Sequence, residues 1–171
     1  KDVGYKSSPL ENMVMKSLFS SIYKDKTVLV TGHTGFKGSW LVYWLNKMGA
    51  NVVGYSLDAP TTPNHIKLLD LDIASIIGDV RDLDKLNKTF KKYNPDIVFH
   101  LAAQPLVIPS YKNPIETYET NVIGTLKVLE ACRANGVKAI VNITSDKAYE
   151  NKEWMWGYRE NDPMGGFDPY S

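Results

Sequence analysis

A chain of 171 residues with 43% hydrophobic content can build one well-buried core, and 20 basic against 19 acidic residues leave no charge excess to attract nucleic acid or an anionic membrane surface. The single cysteine, Cys132, excludes an internal disulfide framework and favours a reducing, cytoplasmic setting, where it reads as a buried thiol. No apolar stretch approaches the length of a membrane span, and the N-terminus lacks the charged start and apolar run of a secretory signal.

In chain order, residues 1–12 show no periodicity and read as a leader or tail outside the fold, so that residues 13–171 make one domain. Met15, Leu18, Phe19 and Ile22 fall at helix-like intervals and predict a short helix over 13–23. Thr27-Val28-Leu29-Val30-Thr31 is an apolar run without alternation, as expected of a parallel strand covered on both faces. It breaks into Gly32-His33-Thr34-Gly35-Phe36-Lys37-Gly38 and resumes as a helix marked by Trp40, Leu41, Tyr43, Trp44, Leu45 and Met48, closed by Gly49. Asn51 to Tyr55 is the next strand. A strand, a glycine turn, a helix and a second strand together form a dinucleotide-binding unit: Gly32 for the tight turn, Gly35 for close approach of the pyrophosphate, Gly38 for helix–strand packing.

The acidic residue that such a unit places after its second strand, to hold the ribose hydroxyls, is replaced here by Ser56, with Asp58 two residues on. No arginine or lysine follows through Pro63 to receive a 2′-phosphate, so NAD is expected rather than NADP. A proline-bounded loop leads to a third strand at Ala74–Gly78 and to Asp79, which could face a ligand or cap the helix of Leu83, Leu86 and Phe90 together with Asp82. Asn94-Pro95 stops that helix, and Asp96 to Gln104 reads as a fourth strand ending in small residues. Lys112 to Gly136 predicts one long helix with Pro114 in its first turn and Ile115, Tyr118, Val122, Leu126 and Leu129 as its apolar face. Ala139 to Thr144 is a fifth strand that delivers Ser145-Asp146-Lys147 to the carboxyl edge of the sheet, where ligands bind in doubly wound folds. Glu150 to Ser171, rich in aromatic residues, glycine and proline, reads as a structured active-site loop. The whole predicts a Rossmann-like α/β domain with a doubly wound parallel sheet in the order 3-2-1-4-5, and no metal site is expected.

The Gly-x-x-Gly-x-x-Gly spacing, the His100-Leu101-Ala102-Ala103 stretch and the Ser145 and Tyr170 positions resemble the extended short-chain dehydrogenase/reductase family. The resemblance runs from Thr27 to Ser171, and Ser145-Asp146-Lys147 with the loop that follows is similar to the nucleotide-sugar 4,6-dehydratases of that family. It implies that Gly32, Thr34, Gly35, Phe36 and Gly38 hold the pyrophosphate of NAD, Ser56 and Asp58 the ribose, and Asp79 and Val80 the adenine. Leu101, Ala102, Ala103 and Thr144 would lie along the dinucleotide, and Asn121 would be a buried support for the active-site strand. Ser145 would polarise the substrate, Tyr170 would take the proton from the sugar's 4-hydroxyl, and Asp146 would protonate the departing C6 hydroxyl. Lys147 stands where related enzymes carry a glutamate base, and it is either that base or an electrostatic contact. A phenol acts as a base near neutrality only with a cation beside it, and the family's lysine four residues after the tyrosine lies beyond Ser171. The chain is therefore expected to be an inactive N-terminal piece, truncated before a substrate domain. The resemblance further implies a nucleotide-sugar substrate, a homodimer, and a place in deoxysugar and surface polysaccharide formation. A UDP-sugar 4-epimerase and a non-catalytic dinucleotide sensor are the other readings; an epimerase would leave Asp146 and Lys147 idle, and Tyr170 and Ser145 argue against a sensor, which has no use for a phenol at the nicotinamide.

Overall fold

Five parallel strands form one sheet in the order β3-β2-β1-β4-β5, as expected: β1 Thr27–Thr31, β2 Asn51–Ser56, β3 Ala74–Ile77, β4 Ile97–His100 and β5 Ala139–Asn142. The computed structural model describes Met15 and residues 17–171, so the leader assigned to residues 1–12 and the first part of the 13–23 helix lie outside the described residues. The helices are α1 Phe36–Lys47, α2 His65–Leu68, α3 Leu83–Tyr93, α4 Val107–Lys112, α5 Pro114–Tyr118 and α6 Thr125–Ala134.

The central strand builds both cores, because successive side chains point to opposite faces. Val28 and Val30 join Val52 beneath Val42, Leu45 and Met48 around α1. Leu29 joins Val53, Tyr55 and Val98 on the other face, against Leu86 and Phe90 of α3 and Val128, Ala131 and Cys132 of α6. Each buried aliphatic side chain contributes about 1.5–3 kcal/mol, so three residues in a row anchor two layers. Parallel pairing, with Val28 opposite both Val52 and Ile97, brings the carboxyl ends of β1, β2 and β4 to one edge. Burial pushes the Cys132 thiol up to about 11, which makes it the inert structural thiol expected.

Three elements differ from expectation. In the 13–23 segment, the described residues Met15 and Ser17 are helical, but the helix gives way to a short turn over Leu18–Ser21, with Phe19, Ser20 and Ser21 at φ 52°, 55° and 59°, and Leu18, Phe19 and Ile22 are exposed. The predicted long helix winds without a gap from Pro114 to Ala134 but is not regular: α4 ends before it at Lys112, Pro114 starts the winding, and Glu119–Gly124 between α5 and α6 is a π-helix. Its predicted apolar face is also the outer one. Ile115, Tyr118, Val122, Leu126 and Leu129 are exposed, whereas Thr117, Gly124, Val128, Ala131 and Cys132 face inward. Small residues win the inner face because the helix lies so close that a Cβ on Gly124 would come within 2.8 Å of Val80.

Candidate active site

The glycine turn is shaped by what surrounds it. Gly32 has φ +72° and packs so tightly on the end of β4 that a Cβ would lie 3.0 Å from the Ala102 nitrogen. A Cβ on Gly38 would meet the Gly32 carbonyl oxygen at 2.1 Å. This closeness leaves the start of α1 bare: its N-cap is Gly35, no side chain caps the first turn, and no acidic residue sits there. Unpaired amides at the start of a twelve-residue helix, in a cradle that a Cβ would fill, fit a pyrophosphate. Phe36 at the head of the helix is exposed.

The end of β2 is polar but inward. The Ser56 hydroxyl, 5% exposed, pairs with His33 Nδ1 and Thr34 Oγ1, each at 2.9 Å, and donates to the Leu57 carbonyl. His33 in turn reaches Ser75 of β3 through Nε2 at 2.7 Å. Burial drives the His33 imidazole down to about 4, against a hydrogen bond with the Tyr55 backbone that acts the other way. Ser56 is thus occupied within the protein, and the carboxylates at the rim are Asp58 and Asp70. Asp58 lines a cavity of about 330 Å³ with Thr34, Lys67 and Ser75. Across the sheet end, Asp79 receives the Arg81 guanidinium at 2.6 Å and the Arg81 backbone N–H at 2.8 Å, while Asp82 caps α3. The Arg81 hydrogen bonds hold the Asp79 carboxyl below the usual carboxylate range. Val80 beside it is buried.

The end of β4 is fixed by a directed chain of hydrogen bonds. Thr31 Oγ1 accepts the backbone N–H groups of Leu101 and Ala102, so its own proton goes to His100 Nδ1 at 2.7 Å. His100 Nε2 then donates to Thr125 Oγ1 at 2.9 Å, and Thr125 donates to the Asn121 carbonyl. His100 is a packed strand residue, as expected; burial takes it down to about 4. Asn121, half-buried inside the π-helix, bonds both the N–H and the carbonyl of Gln104 with its side-chain amide, so it supports the segment after β4 rather than the strand that leads to Ser145. Ala103 beside them is exposed.

Beyond β5, Thr144 is exposed, and Ser145 Oγ accepts the Lys147 N–H at 3.1 Å, capping one turn of 3-10 helix over Asp146–Ala148. Asp146 and Lys147 line a cavity of about 290 Å³ with Tyr149, Tyr158 and Asp168. Lys147 is not paired with Asp146: its Nζ donates to Asp168 Oδ2 at 3.3 Å. Arg159 does not line this cavity. Tyr170 joins the group through its backbone N–H, which donates to Asp168 Oδ1 at 3.0 Å; no hydrogen bond among the described residues links its phenol to Ser145. The loop behind is closed where Glu150 N–H meets the Pro163 carbonyl and Gly165 N–H the Ala148 carbonyl, with Tyr149 and Tyr158 stacked 5.3 Å apart.

His33, Thr31 and Asp168 take part in the site without standing out in the sequence. For His33 the signal was Gly54, a glycine inside a strand, which marks a close approach by another group. For Asp168 it was Asp-Pro directly before Tyr170, the pattern of a helix cap with proline in the first turn. Among the described residues no cluster of three metal-ligating side chains forms, and no helix is long and apolar enough to cross a membrane.

Residues 28–171 match the NAD dependent epimerase/dehydratase family. The chain is 58% identical over 154 residues to the CDP-glucose 4,6-dehydratase of Salmonella typhimurium, covering 88% of this chain and 43% of that protein. In three dimensions it is similar to an epimerase from Methanothermobacter thermautotrophicus, with TM-score 0.78 and 30% identity over 95% of this chain and 46% of that one. It is also similar to UDP-glucose 4-epimerase from Brucella ovis in complex with NAD, with TM-score 0.75 and 30% identity over 85% of this chain and 43% of that one. The chain thus spans less than half the length of each of these relatives. With its glycine turn, its sheet order and this match along most of its length, the chain belongs to the NAD dependent epimerase/dehydratase family.

Proposed function

We propose that the protein containing this chain is a CDP-glucose 4,6-dehydratase, a lyase that binds NAD and converts CDP-glucose to CDP-4-keto-6-deoxyglucose. The observation that carries the reading is that Asp146 and Lys147, which follow Ser145 at the carboxyl edge of the sheet, line one cavity with Asp168 and Ser171, the residues on either side of Pro169-Tyr170. The likeness to the Salmonella typhimurium enzyme supports the choice of nucleotide and sugar. In this reading Gly32, Gly35 and Gly38 with the first turn of α1 hold the pyrophosphate, Thr34 and Asp58 stand at the ribose, and Asp79 and Val80 at the adenine. Leu101, Ala102, Ala103 and Thr144 flank the rest of the dinucleotide.

Bound NAD supplies a hydride acceptor that takes hydride from C4 of the sugar and gives it back to C6. Tyr170 accepts the proton of the 4-hydroxyl, with Ser145 donating to the same oxygen, so that C4 becomes a ketone and the C5 proton becomes acidic. Lys147, an ammonium at rest, first gives a proton to solvent, to be regained at the end of the cycle, and as the amine takes the C5 proton; the C5–H electron pair forms the C5–C6 double bond, and the C6–O bond breaks as Asp146 gives its proton to the leaving hydroxyl, releasing water. Lys147 returns its proton to C5 as hydride arrives at C6. A proton passed through solvent from Tyr170 to Asp146 restores both groups.

We further place the enzyme in the cytoplasm, in deoxysugar formation for surface polysaccharides such as lipopolysaccharide, acting on a small nucleotide sugar with no nucleic-acid partner. The stripe Ile115, Tyr118, Val122, Leu126 and Leu129, exposed along one helix, supports a homodimer. Incubation of the full-length protein with NAD and CDP-glucose, dTDP-glucose, GDP-mannose or UDP-glucose tests the reading. A 4-keto-6-deoxy product from CDP-glucose is expected; exclusive turnover of another sugar nucleotide, or simple inversion at C4, would overturn it.

A further inference from the structure

Asp168 divides its carboxylate between two parts of the site. Oδ1 accepts the backbone N–H groups of Tyr170 at 3.0 Å and Ser171 at 3.2 Å, which seats the start of the tyrosine segment behind Pro169. Oδ2 faces the Lys147 ammonium at 3.3 Å. The carboxylate is the sheltered partner, its side chain 7% exposed against 46% for Lys147. Burial, the largest influence, would raise its carboxyl, but hydrogen bonds from Ser171, Lys147 and the Tyr170 backbone together hold it below the usual carboxylate range.

Building on the dehydratase reading, we propose that Asp168 is a positioning residue for the elimination: it is the counter-ion of the Lys147 ammonium while that group holds the C5 proton, and it ties this ammonium to the backbone of Tyr170. The spacing between the group that works at C5 and the group that works at C4 is then set by one carboxylate. In the interval after C5–H cleavage, Lys147 carries an added positive charge, and Asp168 is the anion already in place to receive it. A helix cap alone would need only Oδ1.

Asn and Ala at position 168 separate the two jobs, because Asn can still cap Tyr170 and Ser171 but carries no charge. In single turnovers of the full-length protein with NAD and CDP-glucose, Asp168→Asn should keep C4 oxidation and the KM for the sugar nucleotide close to wild type. Loss of water should slow by about 10- to 100-fold, less than the about 10²–10⁴-fold typical of losing an acid–base group outright. Asp168→Ala should lose C4 oxidation as well, since the Tyr170 backbone is released. The double variant Asp168→Asn/Lys147→Met should be no slower than Lys147→Met alone, because Asp168 acts through Lys147. Water loss at the wild-type rate in Asp168→Asn, or effects that multiply in the double variant, would reduce Asp168 to a cap.

A readout free of substrate accompanies these rates: acylation of Lys147 mapped by mass spectrometry, with exposed Lys112 as reference. Lys147 should be protected in the wild type and should lose that protection in Asp168→Asn; equal reactivity would refute the pairing. Wild-type protein that shows the protection yet leaves CDP-glucose untouched would instead count against the choice of substrate alone.

Discussion

The His33 ring occupies the space above Gly54, where a Cβ would come within 2.3 Å of it. Gly54→Ala is therefore expected to overpack the sheet and cost about 1–3 kcal/mol. Thermal or denaturant unfolding measures this directly. Gly54→Ala/His33→Ala should recover part of the loss, but not all, because Ser56 and Ser75 then lose their shared partner. A double variant no more stable than Gly54→Ala would show that the strain lies elsewhere.

Two buried imidazoles make the chain sensitive to acid. His33 and His100 fall from 6.5 to about 4 through burial, so both are neutral in the native state while the unfolded chain takes up protons below 6.5. Their stabilising effect is complete above 6.5 and is lost as pH falls toward 4, by a few kcal/mol for the pair as an order of magnitude. Denaturant midpoints measured across that window should decline, and His100→Gln should make the decline shallower. A flat profile would mean that one or both rings are already charged in the folded chain.

In the full-length protein, Asp146→Asn keeps the side-chain shape but removes the elimination acid. Oxidation at C4 needs no proton donor at C6, so the near-ultraviolet absorbance of reduced cofactor should build up in a single turnover while water loss slows by about 10²–10⁴-fold. Tyr170→Phe should abolish the absorbance change. Equal failure of both variants at the first step would assign Asp146 to holding the sugar.

Asp58 and Asp70 both line the cavity beside β2, and a 2′-phosphate there would meet their negative charge. Full-length protein should bind NAD more tightly than NADP in a fluorescence titration, and Asp58→Asn should narrow the gap. Lys67 lines the same cavity, so Lys67→Met should leave the NAD affinity unchanged and weaken NADP further. Tighter binding of NADP by the unaltered protein would remove Asp58 from the ribose.

Much of the fold was legible because the signals were local and agreed with one another. Val28, Leu29 and Val30 run on without apolar–polar alternation, and they are buried on both faces. The turn from Gly32 to Gly38 needs glycine for reasons of contact that the spacing already carried. The helix after Pro114 misled because it bears two apolar stripes, and bulk pointed to the wrong one: distance to the sheet selected Gly124 and Ala131 over Ile115 and Leu126. Lys147 and Asp168, twenty-one positions apart, meet only when the loop closes on itself, and no periodicity records that meeting.

The chain from Thr31 through His100 to Thr125 can run in one direction only, and this makes the ring a natural label. Nitrogen-15 spectra should show Nε2 carrying the hydrogen and Nδ1 bare, two resonances far apart and untouched by bulk exchange. The ring shares Thr31 with the Leu101 and Ala102 amides, so any reseating of that strand end on ligand binding should register as a shift at a single, interior atom. Dinucleotide occupancy could then be followed from inside the sheet, without a dye, a tag or a catalytic assay.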